Sequence, residues 1–265
     1  MNPPTLPGAL AAVLLALPAA ASAVEGAITT PTAPPSGGGF STTNLQLLQG
    51  WGFHDDELGY ATKTGAMTTV TLNHFSTWAY GDNFAFVDLY RGDFDGAAAQ
   101  GHSDVYAEWH PRLFLNELLG AGSVGPIRNW GLAGEINQAR GFYAYMLGGG
   151  LDLAIPGFSV AGVNLYWRYD NFNESTVQLS PFWTVPLSVG PVPLLFTGFL
   201  DAFVDRNGDI DVMTQPELLV DVLAPLGGKA DRIYVGIEWY VHHYTLAGHA
   251  KTVSSPQAML QWTVY

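Results

Sequence analysis

Apolar and polar side chains alternate strictly along this chain, in segments of about ten residues, and few folds accommodate that pattern. From Asp104 to Phe114 one face carries Val105, Ala107, Trp109, Pro111 and Leu113, while the other begins Asp104, Tyr106, Glu108, His110 and Arg112. Arg232 to His242 sets Ile233, Val235, Ile237, Trp239 and Val241 against Tyr234, Gly236, Glu238, Tyr240 and His242. Val160 to Asp170 sets Ala161, Val163, Leu165 and Trp167 against Asn164, Tyr166, Arg168 and Asp170. A period of two places each set on one side of a strand. After Ala23 no apolar run reaches the ~20 residues that a membrane helix needs.

A soluble sandwich also alternates, but three observations favour a membrane barrel. The apolar faces are unbroken over ~9–11 residues, the length of a tilted strand that crosses a bilayer. Trp51, Trp109, Trp130, Trp167, Trp183, Trp239 and Trp262 fall near many segment ends, as in an aromatic girdle. Charged residues make up 12% of the chain, about half the ~25% usual for soluble domains, because a lipid-facing surface cannot carry charge. The expected architecture is all-β: a 12-stranded antiparallel transmembrane β-barrel of the bacterial outer membrane, built from residues 41–265.

The first six segments are Asn44–Phe53, Met67–Phe75, Asp82–Tyr90, Asp104–Phe114, Ile127–Asn137 and Phe142–Ala154. The next six are Phe158–Asp170, Ser175–Val185, Leu194–Asp205, Thr214–Leu223, Arg232–His242 and Gln257–Tyr265. An even count suits a single-chain barrel. Gly148, Gly149 and Gly150 blur the alternation of the sixth. Pro111, Pro181 and Pro216 would each remove a ladder hydrogen bond, which predicts that they lie near strand ends or at bulges. With both termini periplasmic, His54–Thr64, Arg91–Gln100, Asn171–Glu174 and Arg206–Met213 become outward loops. At the C-terminus, alternation turns Tyr265 inward and gives Trp262 and Val264 to the lipid.

Residues 9–20 are apolar and Ala21-Ser22-Ala23 follows, so residues 1–23 read as a signal peptide, although the first eight residues hold no Lys or Arg. Residues 24–40, rich in Pro, Gly and Thr, read as a flexible leader. Export of this kind points to the cell outer membrane of a Gram-negative bacterium. The absence of Cys excludes disulfides and thiolate metal sites. A net charge of −13 disfavours a nucleic-acid partner.

The more polar faces define a lumen. It carries Asp82, Asp88, Asp104, Glu108, Glu135, Asp170, Asp201, Glu217, Asp221 and Glu238 against only Arg112, Arg168 and Arg232. A negative channel disfavours anions and passes neutral or cationic solutes. The same faces place Phe84, Phe86 and Tyr90 beside Asp82 and Asp88, and Phe199 and Phe203 around Asp201, with Phe75, Tyr106, Tyr166, Phe182, Tyr234 and Tyr240 nearby. Rings stack on a flat solute and carboxylates accept from its N–H or O–H groups. Alternatively the rings plug the barrel. The candidate lining residues are Phe84, Phe86, Asp88, Tyr90, Phe199, Asp201, Phe203, Glu108, Tyr166, Arg168 and Glu238.

Other motifs give weaker readings. Asp205 to Asp211 resembles a calcium loop, but its Gly comes two residues early and Pro216 occupies the twelfth position, so an Asn-Gly hairpin turn explains it better. His74 and Ser76 suggest an outer-membrane lipid hydrolase, yet no orienting group accompanies them and Ser76 is expected at a turn. His242-His243 at a loop edge reads as a solvated or interfacial pair rather than a metal site. The expectation is a protein that is not an enzyme, with no cofactor and no metal.

The stretch WAYGDNFAFVDLY from Trp78 resembles the nucleoside-specific channel-forming family of the outer membrane, the Tsx/OmpK-like proteins. The likeness continues through Ser103–Gly120, Gly125–Asn137, Phe142–Phe172 and Gly198–Asp205. The resemblance implies a monomeric 12-stranded barrel with a narrow pore for nucleosides, in contact with outer-membrane lipid and in several members with phage or colicin. It makes Phe84, Phe86 and Asp88 lining residues, with Phe199 and Asp201 facing them. The loops here are short and lack the long polar insertions of that family. A non-conducting surface receptor or structural barrel is the alternative.

Overall fold

A computed structural model describes residues 39–58, 60–94 and 102–264. The signal peptide, all but the end of the leader, most of the Arg91–Gln100 loop and Tyr265 lie outside the described residues. The strands are β1 Ser41–Gly50, β2 Thr62–Trp78, β3 Gly81–Phe94, β4 Ser103–Phe114, β5 Ile127–Ala139 and β6 Phe142–Leu153. They continue with β7 Val160–Asp170, β8 Glu174–Val189, β9 Val192–Val204, β10 Ile210–Thr214, β11 Glu217–Asp221, β12 Ile233–Leu246 and β13 His249–Thr263. Neighbouring strands pair antiparallel, β10 and β11 excepted, and β13 returns to pair with β1 from Asn44↔Thr263 to Gly50↔Gln257. Among the described residues the sheet closes on itself without an edge strand, which is how strands satisfy their backbones in a bilayer.

β10 and β11 are two halves of one stave, because both lie between β9 and β12. The break falls at Gln215-Pro216, where the ring of Pro216 removes the donor while its carbonyl still accepts from Trp239 N at 2.9 Å. Thirteen strand elements therefore make a closed barrel of twelve, the expected number.

Pro181 departs from expectation. It sits inside β8, paired with Val163 on one side, and the ladder to β9 skips Ser180 and Pro181 without a change of register. The triple-glycine stretch forms regular strand within β6. A Cβ on Gly150 would lie 2.4 Å from the Asn164 side chain, so the missing side chain leaves Asn164 its place.

Alternation divides the wall as the sequence predicts. Leu45, Leu47, Leu72, Leu89, Leu147, Leu165, Leu179 and Leu260 are exposed on the outside, whereas Gln46, Thr71, Glu135, Asn164, Gln178, Glu238 and Gln261 are buried within. Of the tryptophans, Trp78 and Trp262 lie outside at the end that carries the termini, and Trp51 and Trp167 at the other end. Trp109 and Trp239 fall mid-strand, so they widen the apolar belt instead of joining a girdle. Among the described residues no helix is long and apolar enough to cross a membrane.

Candidate functional site: the lumen

The inner wall is layered along the barrel axis. Nearest the termini, Arg112 of β4 binds Asp82 through both Nε (2.8 Å) and a terminal nitrogen, and Asp152 of β6 at 2.6 Å. Its guanidinium lies 4.9 Å from the centre of the Phe182 ring. That ring is accommodated over Gly162, where a Cβ would come within 2.2 Å of it. The arginine is thus neutralised and held over an aromatic face.

Midway, β3 and β4 line up an aromatic row. Phe84 packs on Phe86 at 5.9 Å and on His110 at 5.4 Å; Phe86 packs on Tyr106 at 6.0 Å, and Tyr106 on Phe142 at 6.5 Å. Carboxylates interleave with these rings. Asp88 accepts from Thr71 at 2.5 Å and Tyr90 at 2.8 Å, Glu108 accepts from Tyr106, and Asp201 accepts from Ser180 at 2.5 Å. Phe84, Phe86, Asp88, Tyr90, Glu108, Asp201, Phe199 and Phe203 are each only partly buried, so the wall is not closely packed beside them. Tyr166, Glu135, Gln178 and Leu219 are fully buried and fill the space between the walls.

All eleven sequence-predicted lining residues lie on inward-facing positions, but they do not form one cluster. Phe84, Phe86 and Glu108 share a patch. Phe199 stands opposite Phe182 on the neighbouring strand. Arg168 is bound to Asp170 (2.7 Å) and Gln178 (2.6 Å), 4.3 Å from the Phe203 ring. Glu238 faces Glu217 directly across β11–β12 and accepts from Gln257 at 2.6 Å.

The end away from the termini holds the main correction to the sequence reading. The connection between β1 and β2 is not a simple outward loop, because it folds into the barrel mouth. Phe53, Asp55 and Tyr60 are buried. Phe53 packs on Tyr240 at 5.2 Å, and its ring lies where a Cβ on Gly50 would stand. Tyr60 packs on Tyr90 at 4.7 Å and Phe94 at 6.2 Å. Asp55 accepts from the Tyr240 hydroxyl at 2.7 Å and faces His242 Nδ1 at 2.6 Å. The other ring nitrogen of His242 faces Asp211 at 3.1 Å and Glu57 at 3.5 Å.

His242 is therefore neither at a loop edge nor solvated, since β12 runs on to Leu246 and the imidazole is buried among three carboxylates. Only His243, on the outer face, is exposed; it bonds Thr252 at 2.8 Å. Burial pushes the Asp55 carboxyl up, but the hydrogen bond and charge of His242 and the Tyr240 hydroxyl outweigh it and hold it below the ordinary value. Burial, and then the Asp211 carboxylate, push Glu57 up to about 8.

Two further motifs resolve. Asp205 to Asp209 is a hairpin turn in which Asp205 accepts from the backbone of Asn207 (2.8 Å) and Asp209 (2.9 Å), with Gly208 at φ 87°. His74 bonds the Thr43 hydroxyl at 2.8 Å, and Ser76 lies within β2 and not at a turn.

No protein-family model matches the chain. It is similar to outer membrane protein OmpK of Vibrio parahaemolyticus, with 27% identity over 117 residues, 40% of this chain and 42% of that protein. The chain thus matches about two fifths of the length of this curated relative. Among solved structures it is similar to a KdgM porin in complex with disordered oligogalacturonate, with TM-score 0.47, 7% identity and coverage of 85% of this chain and 100% of that one. A bacterial polysaccharide outer membrane secretin gives TM-score 0.40 and 10% identity, over 85% of this chain and 98% of that one.

Proposed function

We propose that this barrel is a porin-like channel of the Gram-negative outer membrane that passes small neutral or cationic solutes down their gradient, with nucleosides as the favoured class. The observation that carries the reading is the partly buried aromatic row Phe84, Phe86, Tyr106 and Phe142 beside the carboxylates of Asp88 and Glu108. A nucleobase would stack on such a row and donate its N–H groups to the carboxylates. Arg112 and Arg168 do not offset this, since each is engaged by a carboxylate of its own. The similarity to an outer membrane protein and the strand from Asp82 to Tyr90 support the location and the solute class.

A second reading is favoured by a specific observation. The folded β1–β2 connection and the buried centre around Tyr166 and Glu135 narrow the barrel, as a non-conducting receptor for phage or colicin would allow. Liposome swelling separates the two. With adenosine, thymidine, a sugar of similar mass and a nucleoside monophosphate, the channel admits nucleosides faster than the sugar and excludes the monophosphate. Phe84→Ala with Phe86→Ala then erodes the preference. Equal impermeability to all four solutes favours the receptor.

A further inference from the structure

On the inner wall, Glu108 of β4 stands opposite Asn137 of β5, and continuing that register places His110 opposite Glu135. Four polar side chains thus form a square of adjacent cross-strand neighbours, whose Cβ atoms lie ~5 Å apart across the strands. His110 Nε2 is 2.7 Å from Glu108 and its Nδ1 is 3.3 Å from Glu135. Ligand atoms of Glu108, His110 and Glu135 all fall within 4.8 Å of one another.

The square is incomplete in a specific way. Glu135 Oε1 and Asn137 Oδ1 are buried and have no hydrogen-bond partner. Their residues are 1% and 4% exposed. Both atoms are acceptors, so the group they lack is electron-poor, and leaving a buried acceptor unpaired is unfavourable. The nearby arginines do not supply it, because Arg112 is held by Asp82 and Asp152 and Arg168 by Asp170 and Gln178. Two carboxylates, one imidazole and one amide oxygen make a mixed nitrogen–oxygen donor set of the kind that takes Zn²⁺ or Mn²⁺.

We propose that Glu108, His110, Glu135 and Asn137 bind one divalent transition-metal cation on the lumen wall, at the foot of the aromatic row. In the square as it stands both ring nitrogens of His110 face carboxylates. On binding, one of them gives its proton to solvent and its lone pair to the metal. The short separations mean that side-chain rotation, not backbone movement, closes the ligands on the ion. The cluster of Glu57, Asp211 and His242 also has a carboxylate on each imidazole nitrogen, but it differs because its members leave no acceptor orphaned. This site does not depend on whether the lumen conducts.

The test uses the folded full-length barrel in detergent, stripped with a chelator and titrated with Zn²⁺ and separately with Mn²⁺ by calorimetry and metal analysis. One saturable equivalent is expected, with affinity reduced about tenfold or more in His110→Ala and Glu135→Gln. Heat-dependent gel mobility and circular dichroism establish that each variant is folded. Should His110→Ala not fold, Glu108→Gln takes its place. The absence of a saturable equivalent would overturn the proposal, as would wild-type affinity in the folded variants. Loss of binding only in His242→Ala would overturn it too, by moving the metal to the barrel mouth.

Discussion

His242 Nδ1 on β12 and Asp55 Oδ2 in the β1–β2 connection lie 2.6 Å apart, and both side chains are sealed from solvent. A sequence separation of 187 residues is closed by one contact that tethers the connection to β12, two staves from β1 across β13. Asp55 also caps its own turn, accepting from the backbone N–H of Glu57 at 3.2 Å and Leu58 at 3.0 Å. One carboxylate therefore both shapes the connection and anchors it. Asp55→Ala should release the segment between Trp51 and Thr62, read as faster proteolytic cleavage there while the barrel stays intact.

The anchoring should depend on pH with a defined sign. Asp55 has a depressed carboxyl, so its contribution is present above the ordinary value of 3.8 and is lost as pH falls through the folded one. Glu57 is raised to about 8 from 4.5, so its contribution is complete below 4.5 and is lost as pH rises through about 8. Both contributions are complete between pH 3.8 and 4.5, where the connection is held best. Hydrogen exchange at the Glu57 and Leu58 amides, corrected for intrinsic rates, should speed up as pH rises from 4.5 to about 8 and level off above it, and Glu57→Gln should abolish that rise.

The inside–outside parity can be tested at adjacent residues. Leu165 is 55% exposed on the lipid side, and Tyr166 beside it is 1% exposed. Leu165→Arg should destabilise the barrel in lipid by about 2–4 kcal/mol. Leu165→Phe should leave stability nearly unchanged, as measured by denaturant titration in vesicles.

Arg112 compensates two carboxylates near the terminal end. Replacing it with Gln leaves Asp82 buried without its partner, at a cost of about 3–5 kcal/mol. Where the variant folds, the lumen is more negative and its preference for cations over anions should increase. Glu217→Gln with Glu238→Gln, which removes two facing carboxylates, should shift that preference the other way.

The barrel was legible because lipid outside and a polar lumen inside impose the same two-residue rhythm on every stave. Even the broken stave left a mark, since Pro216 cannot donate to a ladder. Pro181 left none of its own, because skipping two pairs to β9 needs no change of register. The folded connection was harder to see. Phe53, Asp55 and Tyr60 stand among polar and glycine residues, and their partners Tyr240, His242 and Tyr90 lie on strands distant in sequence. An aromatic-acidic alternation inside a nominally polar loop was the available signal. Likewise the His110–Glu135 neighbours depend on the β4–β5 register, which periodicity alone does not provide.

The central claim is that the acidic, aromatic lumen conducts. Reconstitution into a planar bilayer under a salt gradient tests it most directly. The account predicts discrete conductance with a reversal potential that favours cations, and partial block by a nucleoside that weakens in Phe84→Ala. A barrel that inserts yet shows no conductance, even after Asp55→Ala has released the folded connection, would contradict it.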